Sequence, residues 1–134
     1  MRFLVVDKIV GKQRPRFNSK QKRTYTPKKT ADYEELIRLE FIRQCKDLII
    51  HEYDGAVKIK IEAYFEPTKS TSKKKYEAML GDYVLKKPDC DNIAKAVCDA
   101  LNGLAYKDDS QVCELKISKR YSNTERLEIE VEYL

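Results

Sequence analysis

Hydrophobic and polar residues alternate most regularly over 56–66. Val57, Ile59, Ile61, Ala63 and Phe65 share one face, and Lys58, Lys60, Glu62, Tyr64 and Glu66 the other. This period predicts a half-buried β-strand, closed by Pro67. The first ten residues are β-rich and predict another strand, with Phe3 and Val5 opposite Leu4 and Val6. Between the two the period changes. Tyr33, Ile37, Phe41, Cys45 and Leu48 recur at helical spacing, and Leu36 and Ile49 widen the stripe. A helix is predicted there, with Thr30 as N-cap, Asp32 in the first turn and an end near Ile50.

Ser72 predicts the cap of a short helix running to Leu80 and stopped by Gly81. A second long helix is predicted from Asp91 to Asn102, ended by Gly103. Two strands close the chain. Residues 111–121 place Cys113, Leu115 and Ile117 on one face; residues 125–133 place Leu127, Ile129, Val131 and Tyr133 opposite Glu128, Glu130 and Glu132. Ser122-Asn123-Thr124 reads as a hairpin turn between them. Residues 11–29 have no hydrophobic period, two prolines and eight basic residues, and read as a loop or arm that orders on binding. The order β-α-β-(short α)-α-β-β indicates one α+β domain over 1–134, with a mixed or antiparallel sheet packed by helices. Residues 68–87 form a lysine-rich insert within it.

Charge sharpens this picture. The 134 residues carry a net charge of +5, but residues 1–30 hold ten Lys or Arg against the single acid Asp7. The leading segment is therefore +9 and the remainder −4. Arg14, Arg16, Phe17, Arg23 and Tyr25 interleave cations with aromatic rings, a mixture that suits phosphates and bases. Lysine-rich loops are also commonly just solvated surface. Lys73, Lys74 and Lys75 stand at a helix start, where the dipole disfavours cations; contact with phosphate would compensate. No stretch approaches the ~20 apolar residues of a membrane span, and the N-terminus turns polar too early for a signal peptide. Cys45, Cys90, Cys98 and Cys113 form no C-x-x-C pair, and only His51 could join them at a zinc site. Free thiols in a reducing cytoplasm are the expectation.

Candidate chemistry gathers in Lys87-Pro88-Asp89-Cys90-Asp91-Asn92-Ile93-Ala94-Lys95. On a helix starting at Asp91, Ile93, Ala96, Val97, Ala100, Leu101 and Leu104 face one way. Asp91, Lys95, Cys98, Asp99 and Asn102 face the other. If Asp89 to Asp91 is extended after Pro88, both carboxylates project to one side, an arrangement suited to Mg²⁺. Asp91 also reads simply as an N-cap. A second acidic group, Lys107-Asp108-Asp109-Ser110-Gln111, reads as a polar turn. If the chain doubles back there, it can supply a third carboxylate.

The strings Lys87-Pro88-Asp89-x-Asp91-Asn92-Ile93-x-Lys95, Asp99-Ala100-Leu101-Asn102-Gly103 and Asp108-Asp109-x-Gln111-Val112 resemble the RusA-type Holliday junction resolvases. Gly11-Lys12-Gln13-Arg14-Pro15-Arg16 and Tyr25-Thr26-Pro27 are similar to the N-terminal region of members from phages and Gram-positive bacteria. The resemblance implies a homodimeric, Mg²⁺-dependent endonuclease (Mn²⁺ as a substitute) that resolves four-way DNA junctions by paired nicks in recombination and repair. It implies no organic cofactor, no membrane partner, and a cytoplasmic setting in a bacterium or an infecting phage. It places metal ligands at Asp89, Asp91 and Asp109 and a catalytic lysine at Lys95, with Asp99 and Asp108 as structural support. DNA contacts are expected from Lys12, Arg14, Arg16, Arg23, Lys73, Lys74, Lys75 and Lys87. The alternatives are a non-catalytic nucleic-acid-binding module of the same fold, and a metal-dependent nuclease acting on flaps, forks or RNA.

Overall fold

The computed structural model describes residues 1–13, 16–20, 23–25, 27–45 and 52–134, with the backbone alone at 16 and 23–25. A four-stranded sheet is built from β1 (Arg2–Val5), β4 (Val57–Phe65), β5 (Val112–Tyr121) and β6 (Arg126–Tyr133). Its order is β1-β6-β4-β5. The 57–65 alternation holds through the whole of β4, whose odd-numbered residues are buried. Together with Phe3, Val5, Leu127, Ile129 and Val131 they form one apolar face of the sheet. Helices α1 (Lys28–Gln44) and α3 (Cys90–Leu101) contribute Tyr33, Ile37, Phe41, Ile93, Val97 and Leu101 to the same core.

The sheet is mixed. β4 runs antiparallel to β6 and parallel to β5, so β5 and β6 lie on opposite sides of β4 and are not a hairpin. Residues 122–125 instead carry the chain across the end of β4. Ser122 N–H donates to the Phe65 carbonyl at 2.8 Å, and the Glu125 carboxylate accepts from Glu66 N–H at 3.2 Å. β5 is thus an edge strand: Cys113 is exposed, and Leu115 is half exposed rather than packed in the core.

The basic segment also departs from a simple loop. β2 (Arg16–Asn18) and β3 (Arg23–Tyr25) pair antiparallel as a short ladder of their own. α1 starts before Thr30, with Pro27 at the cap, because Thr30 is buried and its hydroxyl accepts from Gln13 N–H (3.3 Å). Asp32 therefore lies beyond the first turn. α1 reaches Gln44, with Cys45 as its C-cap, and the predicted continuation to Ile50 lies outside the described residues. The short helix α2 (Lys73–Met79) begins as expected, with the Ser72 hydroxyl accepting from Lys75 N–H. Among the described residues no helix is long and apolar enough to cross a membrane.

Candidate active site

α3 begins one residue before the predicted start, and that single step rearranges its acids. Asp89 is the N-cap, with extended backbone, while Cys90 and Asp91 are already helical. The expected extended run from Asp89 to Asp91, with both carboxylates on one side, does not form. Asp91 sits in the first turn, where the helix dipole favours an acid. The Asp89 carboxylate makes no capping hydrogen bond; it pairs with the Lys87 ammonium at 2.9 Å. Asp91, Lys95 and Asp99 then follow at successive turns of the polar face, and Lys95 Nζ is 3.3 Å from Asp99 Oδ1.

The second acidic group returns alongside α3. Gly103, at φ +76°, turns the chain in a conformation open to glycine, and buried Tyr106 donates its hydroxyl to the Cys98 carbonyl at 2.7 Å. A short 3₁₀ turn, Asp109–Gln111, follows with Asp108 as its cap. The Asp108 carboxylate accepts from Ser110 N–H at 3.0 Å, and hydrogen bonding to Ser110 holds its pKa below the usual aspartate range. Gln111 Oε1 accepts from Lys107 and Asp108 N–H, and its Nε2 donates to the carbonyls of Tyr53 (3.0 Å) and Gly55 (2.9 Å). Asp108 and Gln111 thus fix the turn and leave Asp109 facing α3.

Asp91, Lys95, Asp99 and Asp109 line one open cleft of about 310 Å³. Its apolar floor is Ala94, Cys98 and the half-exposed Leu115 of β5. Burial pushes the Cys98 thiol up. The Tyr106 hydroxyl and Lys95 oppose that shift, while Asp109 and Asp99 add to it.

Asp89 does not line this cleft. Among the described residues no three His, Cys, Asp or Glu side chains lie close enough to hold a metal ion by themselves. Mg²⁺ commonly needs only one or two carboxylates, with waters and substrate phosphate oxygens completing its shell. The hard oxygen donors Asp91 and Asp109, presented by two different elements, fit such an ion in kind.

The expected DNA contacts separate. Lys73, Lys74 and Lys75 are exposed in the first turn of α2, and Lys87 is exposed beside Asp89. Arg16 and Arg23 lie on β2 and β3, where only the backbone is described, and Arg14 lies outside the described residues. Lys12 is not a free surface cation. Its ammonium reaches Glu34 at 2.6 Å and Asp99 at 3.2 Å, and its side chain is only 15% exposed. Burial lowers its pKa, but those two carboxylates outweigh it and the net shift is upward. Lys12 therefore ties the N-terminal segment and α1 to the cleft.

Three residues support the site through contacts that the sequence alone does not show. Gly11 packs against Pro88 and Asn92, Gln111 braces the Asp109 turn, and Lys119 Nζ donates to the carbonyls of Lys86 (2.7 Å) and Pro88 (3.0 Å).

The molecule is thus a mixed α+β domain whose acid-lysine cleft is built from α3, the Asp109 turn and β5. The family model for endodeoxyribonuclease RusA matches residues 8–132. The chain belongs to the RusA endodeoxyribonuclease family. It is also similar to uncharacterized protein YqaN of Bacillus subtilis (strain 168). The two are 36% identical over 137 residues, covering 96% of this chain and 93% of YqaN.

Proposed function

We propose that the protein is a divalent-metal-dependent endonuclease that cuts four-way DNA junctions by paired nicks. The observation that carries this reading is the convergence of Asp91, Lys95 and Asp109 on one cleft in a RusA-family chain. Asp91 and Asp109 would hold Mg²⁺, or Mn²⁺ in its place; Asp89, outside the cleft and paired with Lys87, would join them only by exchanging that ion pair for the metal. Bound there, the ion supplies an activated water and neutralises charge on the scissile phosphate.

The remaining steps belong to the chain. Asp99, 3.3 Å from the Lys95 ammonium, keeps that cation on the cleft side of α3. From there Lys95 offsets charge on the phosphate or the departing oxygen. The capped turn at Asp108 presents Asp109 without a mobile loop. Ala94, Cys98 and Leu115 give the sugar an apolar surface and limit water on that side. Lys73, Lys74, Lys75 and Lys87, with Arg14, Arg16 and Arg23, bind the flanking phosphates. Two opposed nicks need two such clefts, so the active form is a homodimer.

The test is cleavage of a mobile four-way junction, a fork and a linear duplex of matched sequence in Mg²⁺. Preferential paired nicking of the junction supports the reading. Equal rates on all three substrates remove the junction selectivity, and binding without any nicking in Mg²⁺ or Mn²⁺ removes the nuclease.

A further inference from the structure

Leu85 is 95% exposed, whereas the next most exposed large apolar side chain among the described residues, Val6, reaches 63%. It stands four residues before Asp89, in the segment 81–88 that links α2 to α3. A fully wetted leucine on a flexible tip would mean little. This one is on a braced loop. Gly81 N–H donates to the Tyr121 carbonyl (2.9 Å), Tyr121 N–H to the Asp82 carbonyl (3.0 Å), and Val84 N–H to the Lys119 carbonyl (3.1 Å). The Lys119 ammonium donates to the Lys86 and Pro88 carbonyls, and Val84 is buried. Anchors on both sides of position 85 leave its side chain pointing outward.

The surroundings indicate what that side chain meets. Lys86 and Lys87 follow directly. Arg120 lies 4.1 Å over the ring of Tyr83, itself 62% exposed, and donates to its hydroxyl at 2.8 Å. A groove of about 440 Å³ beside the loop is lined by Lys8, Lys69, Lys86 and Lys87. Of the nearby acids, Asp89 is paired with Lys87 and Glu125 accepts from backbone N–H of Ile9 and Glu66; Glu66 and Asp82 are the others. An exposed apolar side chain followed by two lysines, on a loop that also carries an exposed aromatic, matches a phosphate backbone with a base step opened between its strands. Apolar wedges of this kind partly unstack base steps and kink the duplex.

We infer that Leu85 is a wedge that enters the base stack at the branch point and holds the strand open while Asp91, Lys95 and Asp109 engage the neighbouring phosphate. This rests on the reading of the protein as a branched-DNA nuclease. The wedge explains why an exposed leucine on a braced loop stands four residues before Asp89. It also makes the loop a determinant of substrate shape, separate from the chemistry.

The experiment uses the full chain and a synthetic four-way junction carrying 2-aminopurine at the branch point, with Ca²⁺ for the binding arm and Mg²⁺ for the nicking arm. Wild type should raise the fluorescence as the base unstacks. Leu85→Ala should lose most of that rise and nick the paired junction about tenfold or more slowly, with affinity changed by less than about threefold. Leu85→Met should retain both properties. A junction with mismatched, already open bases at the branch should restore nicking by Leu85→Ala. An unchanged fluorescence rise and nicking rate in Leu85→Ala overturns the inference. So does a loss of self-association in that variant on sedimentation, which would assign the tip to a second copy of the chain. Wild type that unstacks the base yet nicks nothing defeats the nuclease reading and leaves the wedge standing.

Discussion

Gly11 lies so close to Pro88 that a methyl group on Gly11 would stand 2.7 Å from the Pro88 Cβ and 3.2 Å from the Asn92 Cβ. The next residue continues the contact, with Lys12 N–H donating to the Asn92 carbonyl at 2.8 Å. The N-terminal segment is thereby clamped onto the residues that frame Asp89 and Asp91. Both Pro88 and Asn92 belong to the acid motif, so neither can give way without moving it. Gly11→Ala should destabilise the protein by about 1–3 kcal/mol, as overpacking does. It should also slow nicking beyond what the lost stability explains, read as residual activity measured well below the melting temperature.

Lys12 closes the same contact from the side-chain direction. Replacing it by Met leaves Glu34 facing Asp99 without the intervening cation. The expected loss is about 1–2 kcal/mol, between the limits for exposed and buried ion pairs. Its pKa is raised on folding, so the contribution is present in full below the ordinary lysine value of 10.5 and is lost as pH rises through the higher folded value. Thermal melts of wild type and Lys12→Met should therefore converge in strongly alkaline buffer and differ at neutral pH.

Adjacent acids should behave oppositely. Asp108→Ala removes the cap of the Asp109–Gln111 turn and should lower the melting temperature. Because folding lowers the Asp108 pKa, that contribution is present above the ordinary aspartate value of 3.8 and fades as pH falls through the lower folded value. Asp109→Asn should leave the melting temperature nearly unchanged and remove nicking. Unfolding curves paired with junction nicking separate the two.

The three lysines of α2 make a further pair of opposed effects. Changing Lys73, Lys74 and Lys75 to Ala relieves cations from a helix N-terminus and should stabilise the helix by a few tenths of a kcal/mol per residue or more. Junction binding should weaken, and the slope of log affinity against log salt should flatten by up to about three. Fluorescence anisotropy across a salt series checks both size and slope.

What the sequence made legible follows from burial. β4 and α3 each bury one face, and burial imposes the two periods visible at Val57–Phe65 and from Ile93 to Leu101. The order of strands was not legible, because alternation along 112–121 and 126–133 says which face is apolar and nothing about the neighbour. The start of α1 was misplaced because Thr30 has the chemistry of a cap but spends its hydroxyl on Gln13 N–H. A one-residue shift at α3 sufficed to turn an extended pair of carboxylates into a cap and a first-turn acid. Of the residues that line the cleft, Asp91 and Lys95 stood out by helical spacing and Asp109 by resemblance alone. Gly11, Lys12 and Lys119 were not, since their roles lie in contacts with residues far along the chain.

Junction nicking with the folded acid variants tests the central claim most directly. In Mg²⁺, wild type should cut a mobile four-way junction in opposed strands, whereas Asp91→Asn and Asp109→Asn should each lose at least about a thousandfold in rate. Both variants should bind the junction as tightly as wild type or more tightly, because a negative charge near phosphate has gone. Wild-type nicking rates in either variant, or collapse of junction binding with the melting temperature unchanged, would contradict the account.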